Sequence, residues 1–311
     1  MHQDLKISVC MITYGHEKYI REAIEGVLMQ ECDFEVELIL SNDCSLDQTD
    51  KVIQDILSNH PKAAWIKYFK HEKNIGMMPN FIFAMQQCQG KYIALCEGDD
   101  YWISKDKLQK QLDFLEKNKD YVLCFHPVAI LNLTGEIVDD FVTRVPENYE
   151  TIETLAQLGN YIHTPSVIFR NIISDFPFEF EQTPIGDYFL YMMLAQYGKL
   201  KCIETKMAVY RYGVGIFSGT SDINITKSNL KLFTCLLSYF KKEEINKIIL
   251  KRHLQTVLHL EKSVHKIYLN SFVSNHVVFK LLKLIKKDYK SPKKITKKIL
   301  NRIKFKKNED Q

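Results

Sequence analysis

The chain has 311 residues, 46% hydrophobic and 26% charged, enough to bury one large core or two modest ones, so a disordered chain is excluded. Its formal charge of +4 joins unlike parts: residues 279–311 carry thirteen Lys/Arg against three acids, leaving the remainder at −6, which argues against a nucleic-acid groove across the fold and for a tail that meets an anionic surface. No run reaches the roughly 18 apolar residues of a membrane span, and Met1-His2-Gln3-Asp4 has neither the basic nor the apolar stretch of a secretory signal, so a cytoplasmic location is expected.

The first half alternates β-rich runs with helical patterns, the sign of an α/β fold with a mostly parallel sheet flanked by helices. Strands are predicted at Lys6 to Thr13, Val36 to Leu40, Trp65 to Phe69, Tyr92 to Cys96 and Tyr121 to Phe125. Between the first two, Ile20, Ala23, Ile24, Val27 and Leu28 repeat at helical spacing and give one apolar face. Ser45 to Thr49 offer side-chain acceptors to a second helix through Val52, Ile53, Ile56 and Leu57. A third helix is predicted over Pro79 to Gln87, with proline in its first turn, and a fourth over Asp106 to Asn118.

From Ala129 onward the alternation fades into strands near Val167 to Phe169 and Met207 to Tyr212, then helices over Ile225 to Leu269. The chain divides accordingly into residues 1–220, with a first half over 1–125 and a second over 126–220, a helical C-terminal region over 221–276 and a basic amphipathic tail over 277–311. In the tail, Phe279, Leu282 and Ile285, then Ile295, Ile299 and Ile303, make apolar stripes among lysines, a pattern that can lie on an anionic membrane; the bland alternative is a solvated basic end. The eight cysteines form no CxxC pair and several lie in apolar runs, so they read as reduced core residues.

Such sheets bind ligands beyond the carboxyl ends of their strands. Three polar groups fall there: Thr13-Tyr14, Ser41-Asn42-Asp43 and Glu97-Gly98-Asp99-Asp100. Three crowded carboxylates repel unless a cation or donors hold them, and oxygen ligands suit Mg²⁺ or Mn²⁺, which would neutralise a diphosphate. The competing reading is a solvated acidic turn; the buried run Tyr92 to Cys96 before it and Tyr101-Trp102 after it favour a rigid site. Asp43 could accept from a base edge and Tyr14 could stack on the ring, although spacing alone makes them a turn residue and a core aromatic. No GxGxxG follows the first strand and no GxxxxGK[ST] occurs, which sets aside dinucleotide dehydrogenases and P-loop enzymes. Asp187, in Pro184-Ile185-Gly186-Asp187-Tyr188-Phe189, reads as a general base or as a helix N-cap, and spacing favours the cap.

Together these residues resemble the inverting family-two glycosyltransferases. Ser8 to Tyr14 with Ile20 to Ile24 is similar to their first βα unit. Ser41-Asn42-Asp43-Cys44-Ser45-Leu46-Asp47-Gln48-Thr49 resembles their D-D-x-S-x-D-x-T element, with Asn42 in place of the first acid. Asn74-Ile75-Gly76 with Asn80 resembles the N-x-G element, and Gly90 to Trp102 the D-x-D metal motif, Glu97 standing where many members have aspartate. The resemblance implies a GT-A (Rossmann-like) fold and a metal-dependent transfer of sugar from a nucleotide diphosphate donor, a UDP-sugar first, to a saccharide or lipid-linked acceptor, in bacterial surface polysaccharide or glycolipid synthesis. It places Thr13, Tyr14, Asp43, Asn80 and Asp99 at the nucleotide sugar, Asp100 at Mn²⁺ or Mg²⁺ and Asp187 at the catalytic base, reversing the preference for the cap. His163, in His163-Thr164-Pro165-Ser166, becomes an acceptor contact. Many relatives place a histidine shortly after the Tyr210-Arg211 pair; Gly213 stands in that neighbourhood, which turns attention to Arg211 as a diphosphate contact. The rival readings are a sugar nucleotidyltransferase, whose glycine- and arginine-rich N-terminal loop is missing, and a silent nucleotide-sugar-binding module.

Overall fold

The computed structural model describes residues 5–215 and 218–268. In chain order it runs β1 (Leu5–Thr13), α1 (Ile20–Leu28), β2 (Glu35–Asn42), α2 (Thr49–Asn59), β3 (Ile66–Lys70), α3 (Met77–Gln87), β4 (Tyr92–Leu95), β5 (Tyr101–Trp102), α4 (Lys107–Lys117) and β6 (Tyr121–Phe125). The second half continues with β7 (Ala129–Leu131), β8 (Ile137–Asp139), α5 (Ile152–Leu158), β9 (Ile168–Arg170), α6 (Phe178–Gln182), α7 (Gly186–Leu194), β10 (Lys199–Cys202), β11 (Ala208–Arg211), α8 (Asp222–Tyr239) and α9 (Glu243–Tyr268). Residues through Thr256 form one compact unit; of the second unit, Val257–Gln311, only the end of α9 is described, and the basic tail at 277–311 lies outside the described residues.

Seven strands make the main sheet in the order β10-β6-β9-β4-β1-β2-β3. β1 pairs in parallel with β2 and with β4, so the strand order reverses beside β1, the place where such sheets form a ligand crevice at the carboxyl ends of their strands. Every pairing is parallel except those of β9, which runs antiparallel between β4 and β6. Side chains alternate across the sheet: Ile7, Val9 and Met11 of β1 with Tyr92 and Ala94 of β4 enter a core under α1, α2 and α4, while Cys10, Ile93 and Leu95 enter a second core under α3 and α5 to α8. The eight cysteines are all free and five of them are buried.

A second sheet, β5-β11-β7-β8, was not foreseen: β11 matches the strand expected near Met207 to Tyr212, but its partners are two or three residues long and show no period. It folds the second half of the chain back to the first: β11 pairs with β5, directly after the acidic turn, and with β7 on its other edge. Of the helices expected over 225–269, the described residues to Tyr268 form two, broken after Tyr239. No helix among the described residues is long and apolar enough to cross a membrane.

Two positions show how closely the sheet is packed. A β-carbon on Gly90 would lie 2.5 Å from the Ser8 amide nitrogen and 2.8 Å from the Ile7 carbonyl carbon, both backbone atoms of β1. Gly90→Ala therefore forces β1 and β4 apart, and urea unfolding is expected to show a loss of about 2 kcal/mol. Lys107, fully buried, donates to Gln111 (2.7 Å) and lies 4.1 Å from the centroid of the Trp102 ring, and burial pulls its ammonium down to about 7. The unfolded chain keeps this proton to about pH 10.4. Between those values the unfolded state binds the extra proton, so stability rises with pH across that window. Lys107→Met is expected to flatten that rise and to raise stability at pH 7 relative to pH 10, measured by urea titration at both.

Candidate active site

The crevice is assembled from four chain segments. At the end of β1, the Thr13 hydroxyl meets His16 Nδ1 at 3.1 Å, and the turn is closed by Gly15, at φ +73°, whose amide donates to Ser45 Oγ at 3.0 Å. Thr13 is buried, whereas the Tyr14 ring is 46% exposed and therefore not the core aromatic that spacing alone suggests.

At the end of β2, Asn42 uses both ends of its amide. Its Oδ1 accepts from the Ser45 amide and hydroxyl (2.9 and 2.7 Å), while its Nδ2 donates to Tyr68 Oη (2.9 Å). A carboxylate there could accept but not donate, and Tyr68 already donates to Asp50 (2.7 Å), which accounts for asparagine where the resemblance has an acid. Buried Asp43 accepts from the Ile75 and Gly76 amides (2.7 and 2.9 Å), with Gly76 at φ +94°, a conformation that favours glycine. Asn80, also buried, joins α3 to β2: its Oδ1 accepts from Ser41 Oγ (2.5 Å) and lies 3.0 Å from His71 Nε2.

Beyond β4, Glu97, Asp99 and Asp100 bring ligand atoms within 4.8 Å of one another. The turn needs glycine at 98, since a β-carbon would lie 2.7 Å from Thr13 Oγ1 and 2.9 Å from His16 Nδ1. Desolvation and the charges of Asp99 and Asp187 push the Glu97 carboxyl up to about 8, and burial followed by Asp99 raises that of Asp100. Asp100 Oδ1 accepts from the Arg211 amide (2.8 Å), but Oδ2 is buried with no hydrogen-bond partner among the described residues. An orphaned carboxylate oxygen among three crowded acids is the donor set of a hard divalent cation, so these residues fit such an ion.

Arg211 is 4% exposed. Its guanidinium lies between the Tyr19 and Tyr101 rings (5.0 and 4.5 Å) and donates to the Asp99 carbonyl and the Glu22 carboxylate. It thus ties the acidic turn to α1 and β11.

Asp187 is in the first turn of α7, whose N-cap residue is Ile185, so the capping role favoured by local spacing does not apply. Its Oδ1 accepts from the Tyr188 amide (2.7 Å) and its Oδ2 from Asn160 Nδ2 (2.8 Å) and, longer, from Thr164 Oγ1 (3.5 Å). Desolvation raises its carboxyl above the ordinary range, and it is close enough to Glu97 to act on that group's titration. His163 is buried, with Nε2 2.9 Å from Asp140 Oδ2 and its ring 4.8 Å from that of Tyr210. Burial opposes ionisation of Asp140, but the hydrogen bonds from His163 and Thr143 hold it well below the usual carboxylate range.

The crevice thus gathers Thr13, Tyr14, Asp43, Asp99, Asp100 and Asp187 from strand ends and one helix start. Sequence reasoning missed His16, Glu22, Asp140, Asn160 and Thr164. Their places come from contacts between distant segments, and only His16, three residues after Thr13, carried a local signal.

Known proteins resemble this chain in sequence and in fold. Residues 8–176 match the model of glycosyl transferase family 2. An uncharacterized protein of Mycobacterium tuberculosis is 33% identical over 205 residues, which cover 66% of this chain and 58% of that protein. A putative teichuronic acid biosynthesis glycosyltransferase of Bacillus subtilis, TuaG, is 32% identical over 143 residues, 46% of this chain and 54% of that one. The chain thus spans little more than half the length of these relatives. Among solved structures, Staphylococcus aureus TarS 1–349 in complex with UDP-GlcNAc is similar at a TM-score of 0.59 and 20% identity, covering 81% of this chain and 73% of that one. A mannosyltransferase from Pyrobaculum calidifontis in complex with GDP-Man and Mn²⁺ is similar at a TM-score of 0.62 and 13% identity, covering 88% and 78%. The fold is therefore of GT-A type.

Proposed function

The chain belongs to glycosyl transferase family 2, and from that membership and the acidic cluster at the strand ends we propose that it transfers a sugar from a nucleotide diphosphate donor to an acceptor hydroxyl with inversion at the anomeric carbon. The observation that carries this reading is the Glu97-Asp99-Asp100 cluster beyond β4, whose buried Asp100 Oδ2 has no hydrogen-bond partner among the described residues, a site suited to a cation that holds a diphosphate.

Tyr14 offers an open ring on which the nucleoside base stacks, beside Asp43, and Asp99 lies on the ribose side. A divalent cation, Mn²⁺ or Mg²⁺, held by Asp100 with its acidic neighbours would supply charge stabilisation to the leaving diphosphate. Asp187 takes the proton of the acceptor hydroxyl as its oxygen bonds to the anomeric carbon, while the bond from that carbon to the diphosphate oxygen breaks. A single displacement from the opposite face inverts the configuration. Asn160 and Thr164 donate to Asp187 and aim its carboxylate, and Arg211 keeps the acidic turn in place.

The acceptor in this reading is a bacterial surface polysaccharide or its lipid-linked precursor, supported by the role in the name of TuaG. The basic, striped tail supports a peripheral position on the inner face of an anionic membrane. Incubation with UDP- and GDP-sugars, with Mn²⁺, Mg²⁺ or chelator, tests the proposal. Metal-dependent release of nucleoside diphosphate supports it. Release of pyrophosphate would identify a nucleotidyltransferase, and donor binding without turnover a silent module.

A further inference from the structure

We propose that the Phe141–Tyr212 ring pair is the acceptor subsite, a surface on which a saccharide ring lies while its hydroxyl meets Asp187; this rests on the transferase reading above. Three successive residues at the end of β11 carry the inference. The Tyr210 ring packs on His163 at 4.8 Å, the Arg211 amide donates to Asp100 at 2.8 Å, and the Tyr212 ring meets Phe141 edge-on at 5.1 Å. The pair therefore lies at the carboxyl end of the strand that joins the acidic turn to the segment orienting the base.

Phe141 is 58% exposed, yet its backbone is firmly held. Asp140 accepts from the Val142 amide (2.8 Å), the Thr143 amide and hydroxyl (3.0 and 2.7 Å) and His163 (2.9 Å). The residue after His163, Thr164, donates to Asp187. One half-buried carboxylate thus fixes the loop that presents Phe141 and the segment that aims the base, so ring and base keep a set separation. The exposed Phe141 ring, held edge-on by that of Tyr212 on a braced turn, offers its face to the apolar C–H side of a sugar.

The test uses the full chain, the nucleotide sugar that wild type turns over, and an array of immobilised mono- to tetrasaccharides as acceptor probes. Wild type is expected to label a subset of the array. Phe141→Ala is expected to lower transfer to that subset roughly tenfold, through the acceptor KM and not through kcat, with unchanged melting temperature, and Phe141→Trp to restore it. Tyr197→Ala, at an exposed ring on the turn after α7, is expected to transfer as wild type does. Undiminished transfer by Phe141→Ala, or a wild type that hydrolyses donor but labels no saccharide, would overturn the subsite. Failure to release nucleoside diphosphate from any nucleotide sugar would overturn the transferase reading itself, and the subsite with it.

Discussion

Asp187→Asn is expected to lower kcat by about 10²–10⁴ while leaving the donor KM within a factor of a few. Asparagine keeps the volume of the side chain and an oxygen able to accept from the Tyr188 amide, which Asp187 Oδ1 does at 2.7 Å. What it loses is the proton-accepting oxygen toward Asn160 and Thr164. The new NH₂ group meets the Asn160 donor, so a somewhat lower melting temperature is expected, and kinetics are compared at a temperature where both proteins are fully folded. Steady-state kinetics on the donor identified by diphosphate release reads the effect. Turnover within tenfold of wild type would move the base elsewhere, with Glu97 the next carboxylate in the crevice.

Replacing Asp100 with asparagine has two consequences of opposite sign. Without metal, the Asp100 carboxylate is disfavoured by burial and by Asp99, and asparagine removes that cost from the turn, so in chelator the variant should melt higher than wild type. With Mn²⁺ the order should reverse, because wild type gains stability by mass action and the variant does not. Turnover in Mn²⁺ should fall about 10³-fold or more. Thermal unfolding with and without Mn²⁺ separates a lost ligand from a damaged fold: equal responses of the two proteins to Mn²⁺ would remove Asp100 from the metal site. Oδ1 already accepts from Arg211, and an asparagine oxygen can keep that bond, so β11 stays in place.

The parts of this architecture that could be read from sequence are those dictated locally. β1, β2 and β4 are continuous apolar runs because helices cover both faces of the sheet, and α1 declares itself by its single apolar face. The antiparallel entry of β9 between β4 and β6 was illegible: a three-residue strand carries no sign of direction, and its partners are distant in sequence. The small sheet was missed for the same reason. Among site residues, Asp43, Asp99 and Asp100 lie at strand ends, where topology concentrates ligand contacts. Asp140 and Asn160 had no such address, since each acts through a hydrogen bond to a residue more than twenty positions away. Asn42 shows the converse case. Its departure from the family pattern becomes intelligible once Tyr68 is seen to accept from it.

The most direct measurement is proton NMR of the reaction mixture during turnover of the donor with Mn²⁺, following the anomeric proton and the phosphorus species together. The expected result is nucleoside diphosphate formed in step with a glycoside of inverted anomeric configuration, and neither product in chelator. Retained configuration, or pyrophosphate in place of the diphosphate, would contradict an inverting sugar transfer in this crevice.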